Sequence, residues 1–103
     1  MTHSSDSPYA RHQAADRRLV ILRVLAESTG YQANEFTLEG VLDDMGHTVS
    51  NQQVHTELAW LAEQGLLDSR KVGGVTIATV NRRGLDVAQG KAVVPGVKRP
   101  LPD

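Results

Sequence analysis

Cysteine is absent from the 103 residues. That removes disulfides and thiolate metal sites and points to a reducing compartment. Long hydrophobic runs are absent as well. Runs such as Leu19 to Leu22 are far shorter than the ~20 apolar residues that cross a bilayer. Thr2 to Ser7 is polar with no apolar stretch behind it, unlike a secretory leader. These absences predict a cytoplasmic protein without membrane association. A strong charge bias is also missing, since the net charge is −1, so the chain as a whole does not advertise nucleic-acid binding. The sharpest local absence is of positive charge. No Lys or Arg stands between Arg23 and Arg70, while Glu27, Glu35, Glu39, Asp43, Asp44, Glu57, Glu63 and Asp68 all fall in that stretch.

Catalytic signatures are missing too. There is no phosphate loop, nucleophile elbow or His-Glu metal motif. Asp43 and Asp44 are neighbours on a predicted helix and point about 100° apart, so they do not converge on one site. Gly73-Gly74 is not followed by a helix N-terminus. His3, His12, His47 and His55 do not form a ligand-spaced set. A chain this short, with its apolar residues spent on a core, leaves little room for a substrate cleft. The expectation is a protein that is not an enzyme and needs no metal or cofactor.

What remains suits one globular domain, with 40% apolar and 22% charged residues. Residues 1–13 are polar, carry Pro8 and show no period, which predicts a flexible arm. Asp16 stands as an N-cap for a helix over Arg17–Glu27. Leu19, Leu22, Leu25 and Ala26 form one stripe of it, with Val20, Ile21 and Val24 forming a second beside the first. A helix so broadly apolar either sits centrally in the core or has a second partner, for which another copy of the chain is a candidate. Ser28-Thr29-Gly30 stops this helix. Asn34 or Thr37 can cap a second, whose stripe is Leu38, Val41, Leu42 and Met45. After Gly46 comes a short turn. Ser50 then opens a third helix, with Gln53 completing a capping box and Val54, Leu58, Leu61 and Ala62 facing inward.

From Leu66 to Val80 the period changes. Valines, threonines and an isoleucine surround Gly73-Gly74, a tight-hairpin signal. Asn81 can cap a last short helix that buries Leu85, Val87 and Ala88, and Gly90 ends it. The Pro-rich segment 91–103 reads as an extended tail. The predicted architecture is mainly α with a small β-hairpin: a domain over 14–90 with a three-helix core, a β wing and a short C-terminal helix, in the order of a winged helix-turn-helix.

The run Val54-His55-Thr56-Glu57-Leu58-Ala59-Trp60-Leu61-Ala62-Glu63-Gln64-Gly65-Leu66 resembles the third helix of ArsR- and MarR-type winged-helix repressors. Asn81-Arg82-Arg83-Gly84 is similar to the start of the helix after their wing. From about Asp16 to Pro100 the chain resembles a family of small proteins of Mu-like phages and prophages, often labelled ArsR-like regulators. Leu58 to Leu66 and Val94-Pro95-Gly96-Val97-Lys98-Arg99-Pro100 carry that match. The resemblance implies a DNA-binding transcriptional regulator that acts as a homodimer on duplex DNA. Metal sensing does not carry over, because the cysteine and histidine clusters it needs are missing.

In a helix-turn-helix, the start of the second helix lies in the major groove. Asn51, Gln52, His55 and Thr56 stand there, and such side chains can bond base edges. Phosphate contacts come mainly from Lys and Arg; here the candidates are Arg70 and Lys71 before the hairpin tip, and Arg17 and Arg18 at the start of the first helix. The same residues also suit ordinary capping and solvated surface. The acidic middle of the chain speaks for an alternative, a protein–protein interaction module on the same fold. Trp60 is expected to pack beside the wing or the first helix, with exposure toward a partner in self-association as the second reading.

Overall fold

The computed structural model describes residues 7–102. Helix α1 spans Pro8–Glu27 and begins well before the expected Arg17. Ser7 is its N-cap, its hydroxyl accepting the Ala10 N–H at 3.0 Å. Pro8 occupies the first turn, where a missing N–H costs nothing. Asp16 is therefore an interior position and not a cap. Residues 8–13 of the expected arm are helical, and residues 1–6 lie outside the described residues. The sequence pattern misses this segment because Ala10, Arg11, Gln13, Ala14 and Ala15 favour helix without producing an apolar stripe.

After a single 3-10 turn at Thr29–Tyr31, strand β1 covers Gln32–Asn34. A strand this short shows no period, so the sequence pattern does not reveal it. Asn34 caps α2 (Glu35–Asp44), its side-chain oxygen accepting the N–H groups of Phe36 and Thr37, each at 2.9 Å. Leu38 and Leu42 are buried, but Met45 lies past the helix end and is 62% exposed, outside the stripe expected for it. Helix α3 covers Asn51–Glu63 and carries the expected capping box between Ser50 and Gln53.

Strands β2 (Leu67–Val72) and β3 (Val75–Val80) form the hairpin, with Gly73 and Gly74 both at positive φ (58° and 81°). A two-residue loop whose twist matches the strands needs that conformation at both positions, which is why glycine stands there. The antiparallel sheet is three-stranded, in the order β1-β3-β2. Asn81 caps α4 (Arg82–Ala88) by accepting the Gly84 N–H at 2.9 Å. The molecule is thus mainly helical, with four α-helices and one small sheet among the described residues.

One core joins these elements. Leu19, Ile21, Leu22 and Leu25 of α1 meet Leu38 and Leu42 of α2, Val54, Leu58 and Leu61 of α3, and Leu66, Leu67, Ala78 and Val80 around the hairpin. The two stripes of α1 separate: Ile21 is fully buried, whereas Val20 and Val24 remain at the edge.

The segment after α4 is not a free extended tail. Val94 and Val97 are buried in the core, and the Lys98 N–H donates to the Ala15 carbonyl at 3.1 Å. Gly96, at φ 98°, lies against the Trp60 ring so closely that a Cβ there would come within 2.7 Å of it. Trp60 therefore packs against the first helix and this segment. Asp16 joins the strap by hydrogen bonding the buried His47 and pairing with Lys98 at 3.4 Å. Burial pushes the Asp16 carboxyl up, but His47 and Lys98 outweigh it and hold the group below its ordinary range. Proline and glycine signal irregular backbone correctly, but burial of two valines decides where that backbone goes.

Candidate nucleic-acid interface

Helical geometry sorts the α3 side chains. Relative to Val54, Gln52 and Thr56 lie about 160° away, whereas Asn51, His55 and Glu57 lie about 60–100° away, on the flanks. The structure follows this geometry. Gln52 and Thr56 are exposed, while Asn51 and His55 are half-buried and turned toward α2. The sequence-level grouping of all four as outward residues holds for Gln52 and Thr56 only.

On one flank the focus is Glu35, the first residue of α2, whose carboxylate is buried. It accepts the Thr76 N–H of β3 at 2.6 Å, the Asn51 amide at 3.1 Å and a contact with His55 Nε2 at 3.1 Å. Asn51 also reaches Glu39 at 3.3 Å. One carboxylate thus ties α2, α3 and the sheet together. The Thr76 N–H, followed by the Asn51 amide, holds its pKa at about 2, below the ordinary 4.5, with burial opposing. A carboxyl whose folded pKa is depressed stabilises the fold above its unfolded pKa and loses that contribution as pH falls. The window here runs from about 4.5 down to about 2. Thermal unfolding followed against pH is expected to show stability falling across that window. Glu35→Gln, which cannot titrate, is expected to flatten the fall; an unchanged profile would show that Glu35 is not the titrating group.

On the other flank Glu57 is buried with a side-chain exposure of 5%. Its two oxygens take one arginine each: Arg17 Nε at 3.0 Å and Arg18 Nε at 2.8 Å. Arg18 also donates to the Gly96 carbonyl at 3.0 Å and stacks on Trp60, 3.9 Å from the ring centroid. The expectation that Arg17 and Arg18 hold phosphates is corrected here, because their guanidinium groups are spent inside the molecule. The reason is that α1 packs across α3 at this level, which places a helical Glu opposite two consecutive arginines. Sequence reasoning does not single out Glu35 and Glu57. The available signal is their place at the rim of buried helical stripes.

The hairpin leaves Gly65 directly after α3 and packs beside it. Arg70 and Lys71 are exposed on β2. Arg70 touches Gln32 at 3.3 Å, and Lys71 has no hydrogen-bond or ion-pair partner among the described residues. The surface that results has an uncharged amide-and-hydroxyl face at the start of α3, carboxylates withdrawn on both flanks, and two solvated cations on the adjoining strand. No cluster of metal-ligating side chains occurs among the described residues.

Over 87 residues, covering 84% of this chain and 90% of the other, the sequence is 48% identical to uncharacterized protein gp26 of Escherichia phage Mu. This chain belongs to the gp26 family. A second relative, an uncharacterized protein of Haemophilus influenzae, is 46% identical over 71 residues, or 68% of this chain and 69% of its own length. No family model and no solved structure matches the sequence. The gp26 relationship places the chain among proteins of Mu-like phages, as the resemblance read from Leu58 to Leu66 and Val94 to Pro100 implies. No helix among the described residues is long and apolar enough to cross a membrane.

Proposed function

We propose that this gp26-family protein is a winged helix-turn-helix that binds duplex DNA and regulates phage or prophage transcription, acting by binding and not by catalysis. Helix α2 and helix α3 form the helix-turn-helix, β2 and β3 form the wing, and α3 enters the major groove. The observation that carries this reading is the inward turn of Glu35 and Glu57. Without it, two carboxylates would face a polyanion beside the groove-reading residues; with it, the outer start of α3 presents Gln52 and Thr56. Glutamine and threonine suit base-edge recognition. Arg70 and Lys71 on the wing meet phosphates, and Asn51 and His55 fix the orientation of α3 through Glu35.

A protein-binding reading is favoured by a different observation. Asp43, Asp44, Glu63 and Asp68 are exposed, and no Lys or Arg occurs from residue 24 to residue 69 to offset them. That acidic surface fits a basic protein partner.

Titration of a labelled random-sequence duplex pool at rising salt separates the two. The DNA reading expects affinity that falls with salt, and a selected site motif after rounds of enrichment. It also expects the double variant Arg70→Ala, Lys71→Ala to bind more weakly, with a salt slope smaller by about 2. Gln52→Ala is expected to relax the motif while leaving the salt slope in place. No duplex binding at low salt would overturn the DNA reading and favour a protein partner.

A further inference from the structure

Strand β2 is an edge. The sheet order β1-β3-β2 gives it one neighbour, and β3 pairs along its whole length, from Leu67↔Val80 to Val72↔Val75. The two-residue turn at Gly73-Gly74 makes Val72 and Val75 a hydrogen-bonded pair, and such pairs alternate along an antiparallel ladder. Val72, Arg70 and Asp68 therefore bond to β3, while Lys71, Ser69 and Leu67 aim their N–H and C=O groups away from it. No hydrogen bond from a described residue reaches those outward groups. Residues 68–72 are all exposed, on both faces of the strand. The strand contains no proline and its register with β3 is unbroken, so it lacks the proline and the bulge that commonly blunt an edge. Asp68 and Arg70 stand on the same face, two residues apart. Asp68 has no hydrogen-bond or ion-pair partner among the described residues, and Arg70 reaches only the exposed Gln32 amide at 3.3 Å.

We infer that this edge pairs with β2 of a second copy, antiparallel about a two-fold axis through Ser69, joining two three-stranded sheets into one. Chain geometry and charge fix the place of the axis. Residues opposite each other in an antiparallel pair point to the same face. A two-fold axis perpendicular to the sheet also keeps each residue on its own face, so the axis passes through a residue and not between two. Through Asp68 it sets aspartate against aspartate, and through Arg70 arginine against arginine. Through Leu67 or Lys71 it leaves half of the strand beyond its partner. Through Ser69 it sets Asp68 of each copy against Arg70 of the other, so one contact made twice satisfies both charges. In that register Ser69 faces Ser69 and Leu67 faces Lys71, as hydrogen-bonded pairs built from the outward groups. Asp68 and Arg70 then form the non-hydrogen-bonded pairs, where side chains come closest. The pairing runs over residues 67–71, nearly the whole of β2. Main-chain bonds along an added strand supply the affinity, and the charge register supplies the choice of partner.

Sedimentation velocity of the full chain without DNA, at concentrations rising toward millimolar, tests it. The wild type is expected to dimerise. Asp68→Arg and Arg70→Asp, each alone, set like charges opposite one another twice, and each is expected to raise the dimer dissociation constant about tenfold or more. At the contact the first variant carries two bases and the second two acids, so mixing them is expected to restore a dimer made of one of each. Ser69→Pro removes an N–H that points away from β3. It keeps the hairpin ladder and both charges, and circular dichroism should show it folded. This variant is expected to stay monomeric. Amide hydrogen exchange at Ser69 is expected to slow as the wild type is concentrated, whereas the Arg70 amide, bonded to β3, is protected at every concentration. A wild type that stays monomeric overturns the inference. So does a dimer that Ser69→Pro leaves intact, a mixture that stays monomeric, or exchange at Ser69 that ignores concentration. Arg70 also serves the proposed phosphate contact, but no nucleic acid is present and Ser69→Pro keeps both wing cations, so these results stand apart from the DNA titration.

Discussion

Replacing Glu57 by alanine is expected to destabilise the fold by about 3 kcal/mol, the low end for removing one partner from a buried ion pair. Glu57 sits with 5% of its side chain exposed, and Arg17 and Arg18 with 17% and 18%. Alanine leaves two adjacent guanidinium groups under a helix with no counter-charge. Arg17 can swing toward solvent, which is why the low end applies. Arg18 is held by the Trp60 ring and the Gly96 carbonyl and has less freedom to leave. Glu57→Gln keeps the volume and a hydrogen-bond acceptor, so it should cost less. The measurement is urea unfolding at neutral pH, with Trp60, the sole tryptophan, reporting by fluorescence. A loss below about 1 kcal/mol, the usual worth of an exposed pair, would show that the cluster behaves as surface electrostatics.

Gly84→Ala is expected to cost at least about 3 kcal/mol, the upper range for forcing extra volume into a packed site. A Cβ at position 84 would lie 2.2 Å from the Leu66 carbonyl oxygen and 2.5 Å from a Val80 methyl group. The first of these is backbone and cannot rotate aside. Relief requires α4 to move away from the end of α3, which breaks the Asn81 N–H bond to Leu66 at 3.2 Å and unseats Val87 and Ala88 from the core. Gly40→Ala is the internal control. Gly40 is exposed on α2, and nothing lies within 4 Å of the point where an added methyl group would sit. The same change there should stabilise by about 0.5–1 kcal/mol through helix propensity. Opposite signs in the two thermal unfolding midpoints are the expected result. Equal effects would mean that the α4 contact at Leu66 is soft.

The readable parts of the sequence are those whose physics is local. The capping box at Ser50 and Gln53 involves atoms three residues apart. The hairpin at Gly73-Gly74 depends on two residues reaching positive φ. The inward stripes of α2 and α3 follow from 3.6-residue periodicity, and Leu38, Leu42, Val54, Leu58 and Leu61 are all buried accordingly. Where an element gains no stripe or is very short, the pattern is blind. The first half of α1 is polar yet helical because Ser7 and Pro8 start it cleanly, and β1 exists only because β3 offers a ladder to it.

The candidate site shows the same division more sharply. Asn51, Gln52, His55 and Thr56 all read as outward polar residues at a helix start. Which of them reach solvent depends on what packs alongside, and α2 brings Glu35 within bonding distance of Asn51 and His55. Arg17 and Arg18 count as free positive charge until α1 crosses α3 and meets Glu57, 40 and 39 positions away in the chain. Helices α2, α3 and α4, the glycine hairpin, the kinship with a phage protein and the scarcity of positive charge in the middle of the chain are all legible in the order of the residues. Which charges are spent internally, and that the last segment straps α1 and lies over Trp60, follow from packing between distant parts of the chain. The reason is that caps and periodicity act between near neighbours, whereas an ion pair, a burial or an uncovered stripe is defined by distances that exist only once the chain has closed on itself.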